Sequence, residues 1–444
     1  MRSSDSAHRI VIVGGGAGGL ELATRLGDTL GKRGGAEITL IDKNRTHVWK
    51  PKLHEIASGS MDLSAHEVDY LAQAHWHHFR FRVGEMTALD RERREVRVAP
   101  HVDDEGKEVT PDRAFGYDTL VLAIGSLSND FGTPGVALHA LKLESKADAQ
   151  RFHARMVNAC IRAHAQTTPV RPEQLHVAII GAGATGVELA AELHRTTREV
   201  VAYGLDRVDA DKDIQVNLIE AADRILPALP PRLSQATMGL LRELGVAVHT
   251  SAKVAEVLPS GVRLADGRVL PAELVVWAAG VKAADFLADI GGLETNRSHQ
   301  IVVRSTLQTT RDDDIFALGD CAACEWPEAN GGKGGLVPPR AQAAHQQASH
   351  VAAQIGRRLA DRPLKAYRYR DFGSLVSLGN YESIGTLMGF ASGGTLRIEG
   401  WLAKMFYVSL YRLHVWALYG FWRMALDTLA RMIRRQTHPR VKLH

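Results

Sequence analysis

One local pattern occurs twice in this chain and leaves few folds open to it. Arg9-Ile-Val-Ile-Val-Gly-Gly-Gly-Ala-Gly-Gly-Leu-Glu-Leu-Ala-Thr-Arg-Leu26 is a short apolar run, a glycine loop and a helical run. Ile10 to Val13 read as a fully buried strand, while Leu20, Leu22, Ala23 and Leu26 recur at helical spacing. Gly14 permits the tight turn, Gly16 lets the backbone approach a pyrophosphate, and Gly19 lets helix and strand pack closely, with the phosphates at the positive helix N-terminus. His176-Val-Ala-Ile-Ile-Gly-Ala-Gly-Ala-Thr-Gly-Val-Glu-Leu-Ala-Ala-Glu-Leu193 repeats the arrangement, with Gly181, Gly183 and Gly186 at the same spacing. After each loop a further apolar strand ends in an acid, Asp42 in the first case and Glu220 in the second, suited to hold ribose hydroxyls. A carboxylate at Glu220 also repels a 2′-phosphate and favours NAD over NADP, a preference tempered by the nearby Arg224.

Two dinucleotide folds imply two dinucleotides, and electrons passing between them give the pair a purpose; a flavin with a nicotinamide is the natural combination. The rest of the chain fits around that pair. Tyr117 to Ser126 reads as a buried strand ending at Gly125, and Leu274-Val-Val-Trp-Ala-Ala-Gly280 closes the second repeat in the same way. Asp314-Ile-Phe-Ala-Leu-Gly-Asp320 returns to the first domain, where Asp320 can bind the ribityl chain of a flavin; Lys43 and Gly125 are placed in that site with it, and Gly280 in the nicotinamide site. The expected organisation is α/β, with two Rossmann-like dinucleotide-binding domains of the glutathione-reductase-like kind. The flavin domain is split over 1–130 and 296–360, the NADH domain covers 135–295, strands fill 361–400, and a tail runs over 401–444. Stretches around Phe79 to Val83 and Arg94 to Ala99 suggest a small antiparallel insertion, a helix is expected from about Glu144 to Ala165, and Thr196 to Asp213 reads as a surface excursion. Lys43 to Asp62 reads as a loop and short helix lining a site.

With 444 residues and 45 % hydrophobic content the chain can build two or three cores. The net charge of +4 is a property of the tail, since Trp401 to His444 hold eight Lys or Arg and one acid, Asp427. Leu402, Phe406, Leu410, Leu413, Ala417, Phe421 and Met424 recur every three or four positions there, with Lys404, Arg412 and Arg423 on another side. Such a helix lies flat on a membrane carrying anionic lipid, aided by Arg431, Arg434, Arg435 and Arg440, or packs on the domains or a second subunit; the two can hold together. No run of eighteen apolar residues is present, and no export signal precedes the first strand. Three cysteines are too few for a disulfide framework, and Cys321-Ala-Ala-Cys324 lies away from the position of a redox pair in disulfide reductases, so a structural role is expected. His75-Trp-His-His78 reads as a solvated loop, with no neighbouring acid or thiol to complete a metal site. Gln342 and Gln346, four apart in an Ala-rich helix after two prolines, share one face and are either ordinary polar positions or functional ones.

Taken together, VGGGAGGLE, HVWKPKLHEIASGSMD, IGAGATGVELAAELH, RILPALPPR, VVWAAGVKA, IFALGDCA, VPPRAQAAHQ and the closing RVKLH resemble the type II, non-proton-pumping NADH:quinone oxidoreductases of the proteobacterial subgroup over nearly the whole length. Lys50 and the Thr196 to Asp213 stretch depart from the wider family and fit this subgroup. The resemblance implies a non-covalent FAD in the first domain, NADH in the second, and a quinone, such as ubiquinone, reaching the flavin beside the Ala341–Gln346 helix. It makes Gln342 and Gln346 quinone-site residues and Glu188 an acid near flavin and nicotinamide that orients the ring or relays a proton. It also implies a respiratory enzyme held peripherally on the cytoplasmic face of the bacterial inner membrane, with room for a homodimer and no nucleic-acid partner. Two rivals predict otherwise: a soluble flavin reductase donating to an iron–sulfur protein would lack the amphipathic tail, and a redox-sensing flavoprotein would use its basic tail on nucleic acid or a partner.

Overall fold

The computed structural model describes residues 7–63, 66–378, 383–388, 395–434 and 441. Its first sheet is built outward from β1 (His8–Val13), whose Ile10 and Ile12 are fully buried. The glycine loop leads into α1 (Ala17–Leu26) and then β2 (Ala36–Asp42), the short α2 (Leu53–Ala57), β3 (Arg80–Val83) and β4 (Thr119–Leu122). All of these strands run parallel, and the apolar runs of β1 and β4 are what a sheet covered on both faces requires. Val13 lies opposite both Ile41 and Leu122, so the carboxyl ends of three strands reach one level.

The chain then crosses into a second parallel sheet made of β5 (Ala140–Lys142), β6 (His176–Ile180), β7 (Gln215–Ile219), β8 (Ala247–His249) and β9 (Leu274–Trp277). Between these strands lie α3 (Lys146–Ala165), opened by a Ser145–Asp148 capping box, and α4 (Ala184–Ala202). It returns to add β10 (Ile315–Ala317) beside β4. The orders are β10-β4-β1-β2-β3 and β5-β9-β6-β7-β8, the same plan twice. The two crossings pair as a ribbon, Leu127–Ser128 against Val281–Lys282, and the Trp277 indole N–H donates to the Asn129 carbonyl at 2.9 Å.

Three expectations shift. The stretch ending at Val83 is the edge strand of the parallel sheet rather than part of the insertion, which is instead Met86–Asp90, Glu95–Val98 and Arg113–Gly116; alternation marks a half-covered edge as well as it marks a hairpin. Thr196 to Ala202 are the last turns of α4, with Thr196 and Thr197 buried because their hydroxyls donate back to the Glu192 and Leu193 carbonyls. Ala283, Ala284, Leu287, Ile290 and Leu293, assigned to the second domain, pack in the core of the first, so the return crossing lies at the ribbon and not at 296.

Beyond β10 come α5 (Ala341–Leu359), the antiparallel strands β11 (Gly373–Ser377), β12 (Ser383–Met388) and β13 (Thr395–Glu399), and α6 (Gly400–Arg434). Gly420, at φ 78°, breaks α6 into two helices. A helical count carried through that break loses phase. The face turned to the body holds His414, Val415 and Leu418, while Leu413, Trp416, Phe421, Trp422, Leu426 and Leu429 are exposed. The side chains of Leu402, Lys404, Phe406, Leu410, Arg431 and Arg434, and the residues Arg435 and Arg440, lie outside the described residues. No described helix is long and apolar enough to cross a membrane.

Candidate functional site

The two glycine loops carry out three separate jobs that the structure makes visible. Gly14 has φ +102° and Gly181 φ +101°, backbone that L side chains rarely adopt, and a Cβ on either would collide with the facing backbone, Ala123–Ile124 or Ala278–Ala279. A Cβ on Gly19 would overlap the Gly14 carbonyl oxygen, and one on Gly186 the Gly181 carbonyl oxygen, so helix rests directly on loop. At Gly16 and Gly183, by contrast, nothing lies within 4 Å. These are the N-cap residues of α1 and α4, neither helix has a side-chain cap or an acid in its first turn, and both therefore offer bare N–H groups and a positive end to a phosphate. The donors and the open space fit the pyrophosphate of a dinucleotide at each loop.

Around the first loop, Asp42 at the end of β2 accepts the Gly15 N–H at 2.6 Å and the Asn44 N–H at 2.8 Å. Lys43 turns outward to Glu85 at 3.1 Å, so its ammonium is directed away from the loop. Gly125, at φ +79° with open space beside it, follows β4. Asp320, just past β10, accepts the Ser126 hydroxyl at 2.7 Å, and Lys50 donates to the Ser126 carbonyl at 3.1 Å. Around the second loop, Glu220 accepts the Ala182 N–H at 2.8 Å and the Ala222 N–H at 2.9 Å, while Arg224 donates to the Pro227 carbonyl. Gly280 sits in the crossing, where a side chain would strike Phe131 and Asn129.

Where the domains meet, α2 of the first packs on α3 and α4 of the second, with Leu53 and Ile56 in the same core as Phe152. This places His54 Nδ1 3.4 Å from Glu188 Oε2, both side chains buried. The other Glu188 oxygen accepts the Ser377 N–H of β11 at 3.0 Å. Burial pushes the Glu188 carboxyl up to about 7, against the pull of His54 and the Ser377 bond. A proton is thus held near neutrality at a point reached from both domains. Gln342 donates to Asp371 and to the Gly373 carbonyl, both at 3.1 Å, and Gln346 exchanges two bonds with Arg370 backbone at 2.8 and 3.0 Å. Both glutamines share one face, as their spacing implies, and that face holds the segment leading into β11.

Two residues escaped the sequence reading. Gln347, almost fully buried, accepts the Gly319 N–H at 2.7 Å and so fixes the turn carrying Asp320; its inward register with Ala343, Ala344 and Val351 was the available signal. His54 carries no signal at all, because its partner lies in another domain. Cys321 and Cys324 are buried thiols, and burial raises each to about 11. Cys321 ends a single 3-10 turn, Gly319–Cys321, and Cys324 follows the short strand Ala322–Ala323. Among the described residues no three His, Cys, Asp or Glu side chains are grouped to hold a metal ion, and His77 pairs with Asp28 at 3.0 Å.

Two outcomes follow. Gly16→Ala should leave the thermal midpoint of the flavin-free protein unchanged while lowering flavin content on purification at least tenfold, whereas Gly19→Ala, which must push backbone from backbone, should cost about 1–3 kcal/mol in a denaturant titration with or without flavin. A thiol reagent at pH 7.5 should find no reactive cysteine in the native protein and three after denaturation.

Comparison with known proteins agrees with this arrangement. Residues 8–348 match the family Pyridine nucleotide-disulphide oxidoreductase. The Type II NADH:quinone oxidoreductase of Haemophilus influenzae is 43 % identical over 447 aligned positions, covering 98 % of this chain and 99 % of that protein. Type II NADH:quinone oxidoreductase Ndh of Mycobacterium tuberculosis is 27 % identical over 93 % of this chain and 85 % of its own length. The structure of NDH2 from Plasmodium falciparum in complex with NADH superposes with a TM-score of 0.81 at 18 % identity, covering 98 % of this chain and 100 % of that one, a likeness of fold. The chain belongs to the pyridine nucleotide-disulphide oxidoreductase family and, within it, to the type II NADH:quinone oxidoreductases.

Proposed function

We propose the following division of labour as this chain oxidises NADH and reduces a quinone. The first loop holds the pyrophosphate of FAD, with Asp42 toward the adenosine ribose, Gly125 leaving room beside the cofactor and Asp320 toward the ribityl chain. Bound there, the flavin supplies acceptance of a hydride and delivery of two electrons. The second loop takes the NADH pyrophosphate and Glu220 the ribose, whose free 2′-hydroxyl suits a carboxylate better than a phosphate would. Gly280 keeps the crossing thin where the nicotinamide end must pass toward the first domain. Lys43 contributes backbone only.

The observation that carries the proposal is the buried Glu188–His54 pair at the meeting of the two cradles. Glu188 holds a proton up to about pH 7 and is placed to give it to the reacting quinone, with His54 and the Ser377 N–H fixing its orientation. Gln342 and Gln346 shape the quinone's wall by fixing residues 370–373. Because the carboxyl is raised, its donating form predominates below about pH 7 and is lost above it. In stopped-flow experiments, flavin reoxidation by quinone should therefore slow as pH rises through 7, and Glu188→Gln should flatten that profile and slow reoxidation about 100-fold. Bleaching of the flavin by NADH should change little. A Gln variant with both half-reactions and the pH profile of the parent removes Glu188 from the chemistry.

The outward row of Trp416, Phe421, Trp422, Leu426 and Leu429, beside exposed Arg412 and Arg423, supports a membrane-lying tail facing anionic lipid on the cytoplasmic side, where NADH and reduced thiols are found. It brings the quinone site to the bilayer that holds a long-chain quinone. Replacing Trp422 and Leu426 by Ser should reduce sedimentation with vesicles containing anionic lipid about tenfold or more and leave turnover of a water-soluble quinone intact.

A further inference from the structure

The tail helix reaches further into the molecule than a surface anchor needs to. His414 is 4 % exposed, and its Nδ1 lies 2.7 Å from Oε1 of Glu21, a carboxylate of α1 that is 3 % exposed. The other Glu21 oxygen lies 2.5 Å from Nδ1 of His345 on α5. On its far side His414 Nε2 lies 3.0 Å from Nε2 of His47, whose Nδ1 is 3.0 Å from the carbonyl oxygen of Gly15. That carbonyl also accepts the Tyr70 hydroxyl at 2.7 Å, and the Gly15 N–H is the one bound by Asp42. Trp49 covers His414, ring to ring at 4.2 Å, and Gln73 ties the Leu418 carbonyl to the body at 3.0 Å. The line of bonds runs from the tail to the residue between Gly14 and Gly16.

Counting donors fixes the protons along it. A carbonyl only accepts, so His47 Nδ1 carries a hydrogen. Burial and the neighbouring His414 push His47 down to about 3, which keeps it neutral and leaves Nε2 as an acceptor. Burial pushes Glu21 up, but the bonds from His345 and His414 outweigh it and hold the carboxyl below its usual range. His414 thus has a hydrogen-bond partner on each ring nitrogen, Glu21 on one side and His47 on the other. The groups facing it are Glu21 from α1, His47 and Trp49 from the loop after β2, and, through Glu21, His345 from α5, which the Glu21 bond raises despite burial and nearby Arg25. A buried carboxylate stripped of one such partner is strongly penalised.

We propose that His414 is a positioning residue for the flavin: clamped between Glu21 and His47 through both ring nitrogens, it makes the tail helix a fixed support of the phosphate loop and links tail attachment to cofactor retention. This rests on reading the first loop as the FAD site. There is no slack at Gly15 to absorb its loss, since a Cβ there would overlap the Tyr70 ring.

The test follows flavin fluorescence after dilution of full-length, detergent-held holoenzyme. His414→Ala should release FAD about tenfold faster than the parent. Added imidazole should restore slow release, and furan, of the same shape but with no ring nitrogen to bond Glu21 and His47, should not. Val102→Ser, at an exposed position outside both the tail and the line of bonds, should release at the parental rate. If the Ala variant does not fold, His414→Phe, which keeps the ring and loses both nitrogens, makes the same comparison. Release within twofold of the parent, or rescue by furan equal to imidazole, overturns the proposal. A parent chain that carries no FAD overturns instead the reading on which it rests.

Discussion

The contact on which the rest depends is backbone against backbone: α1 resting on the Gly14 carbonyl through Gly19. With no side chain between them, the helix N-terminus is aimed at the carboxyl ends of the strands, and hydrogen-bond register does the remaining work. Leu122 lies opposite both Val13 and Ala317, so Asp320 arrives at the level of the loop from a strand distant in sequence. The second sheet repeats the contact through Gly186, and Glu220 meets Ala182 as Asp42 meets Gly15. One local geometry, used twice, opens a helix N-terminus at the carboxyl ends of the strands in each sheet.

What lies between the two cradles belongs to neither domain alone. Glu188 sits on a second-domain helix, yet its burial is completed by α2 of the first domain and by β11. A rise from the ordinary carboxylate range to about 7 corresponds to about 3 kcal/mol against the charged form. For folding, that contribution is fully present below the ordinary carboxylate range and is lost as pH rises through about 7. The protein thus keeps an acid in a state that costs stability at the pH where it works, and holds it there by domain packing.

The sequence made legible whatever depends on neighbours within a few residues. Both glycine loops, their terminal acids, the return of Asp320 and the shared face of Gln342 and Gln346 all appear where spacing placed them. What it hid depends on tertiary pairing. Phe81 alternates with charged neighbours because β3 is an edge, which periodicity cannot tell from a hairpin. Leu413 fell in the predicted apolar stripe but faces outward, because the body covers the adjoining face of His414, Val415 and Leu418, and spacing alone does not tell which side of a helix a tertiary neighbour takes. Lys43 follows the acid that ends β2 yet pairs with Glu85, and only the placement of β3 and its following loop decides that. His54 could be recognised only once its partner was in space, whereas the inward register of Gln347 was already in the sequence.

The two sheets share one strand order but draw their outermost strand from opposite ends of the chain. Beside β9 the second takes β5, which precedes its glycine loop; beside β4 the first takes β10, which follows everything else in both sheets. On a ribosome the second sheet therefore has all its strands once residue 277 has emerged, as an uninterrupted insert. The first sheet stands open at one side until 315–317 are made. Order of synthesis thus runs against order of sequence: the domain that begins first is completed last, closing over a neighbour already built.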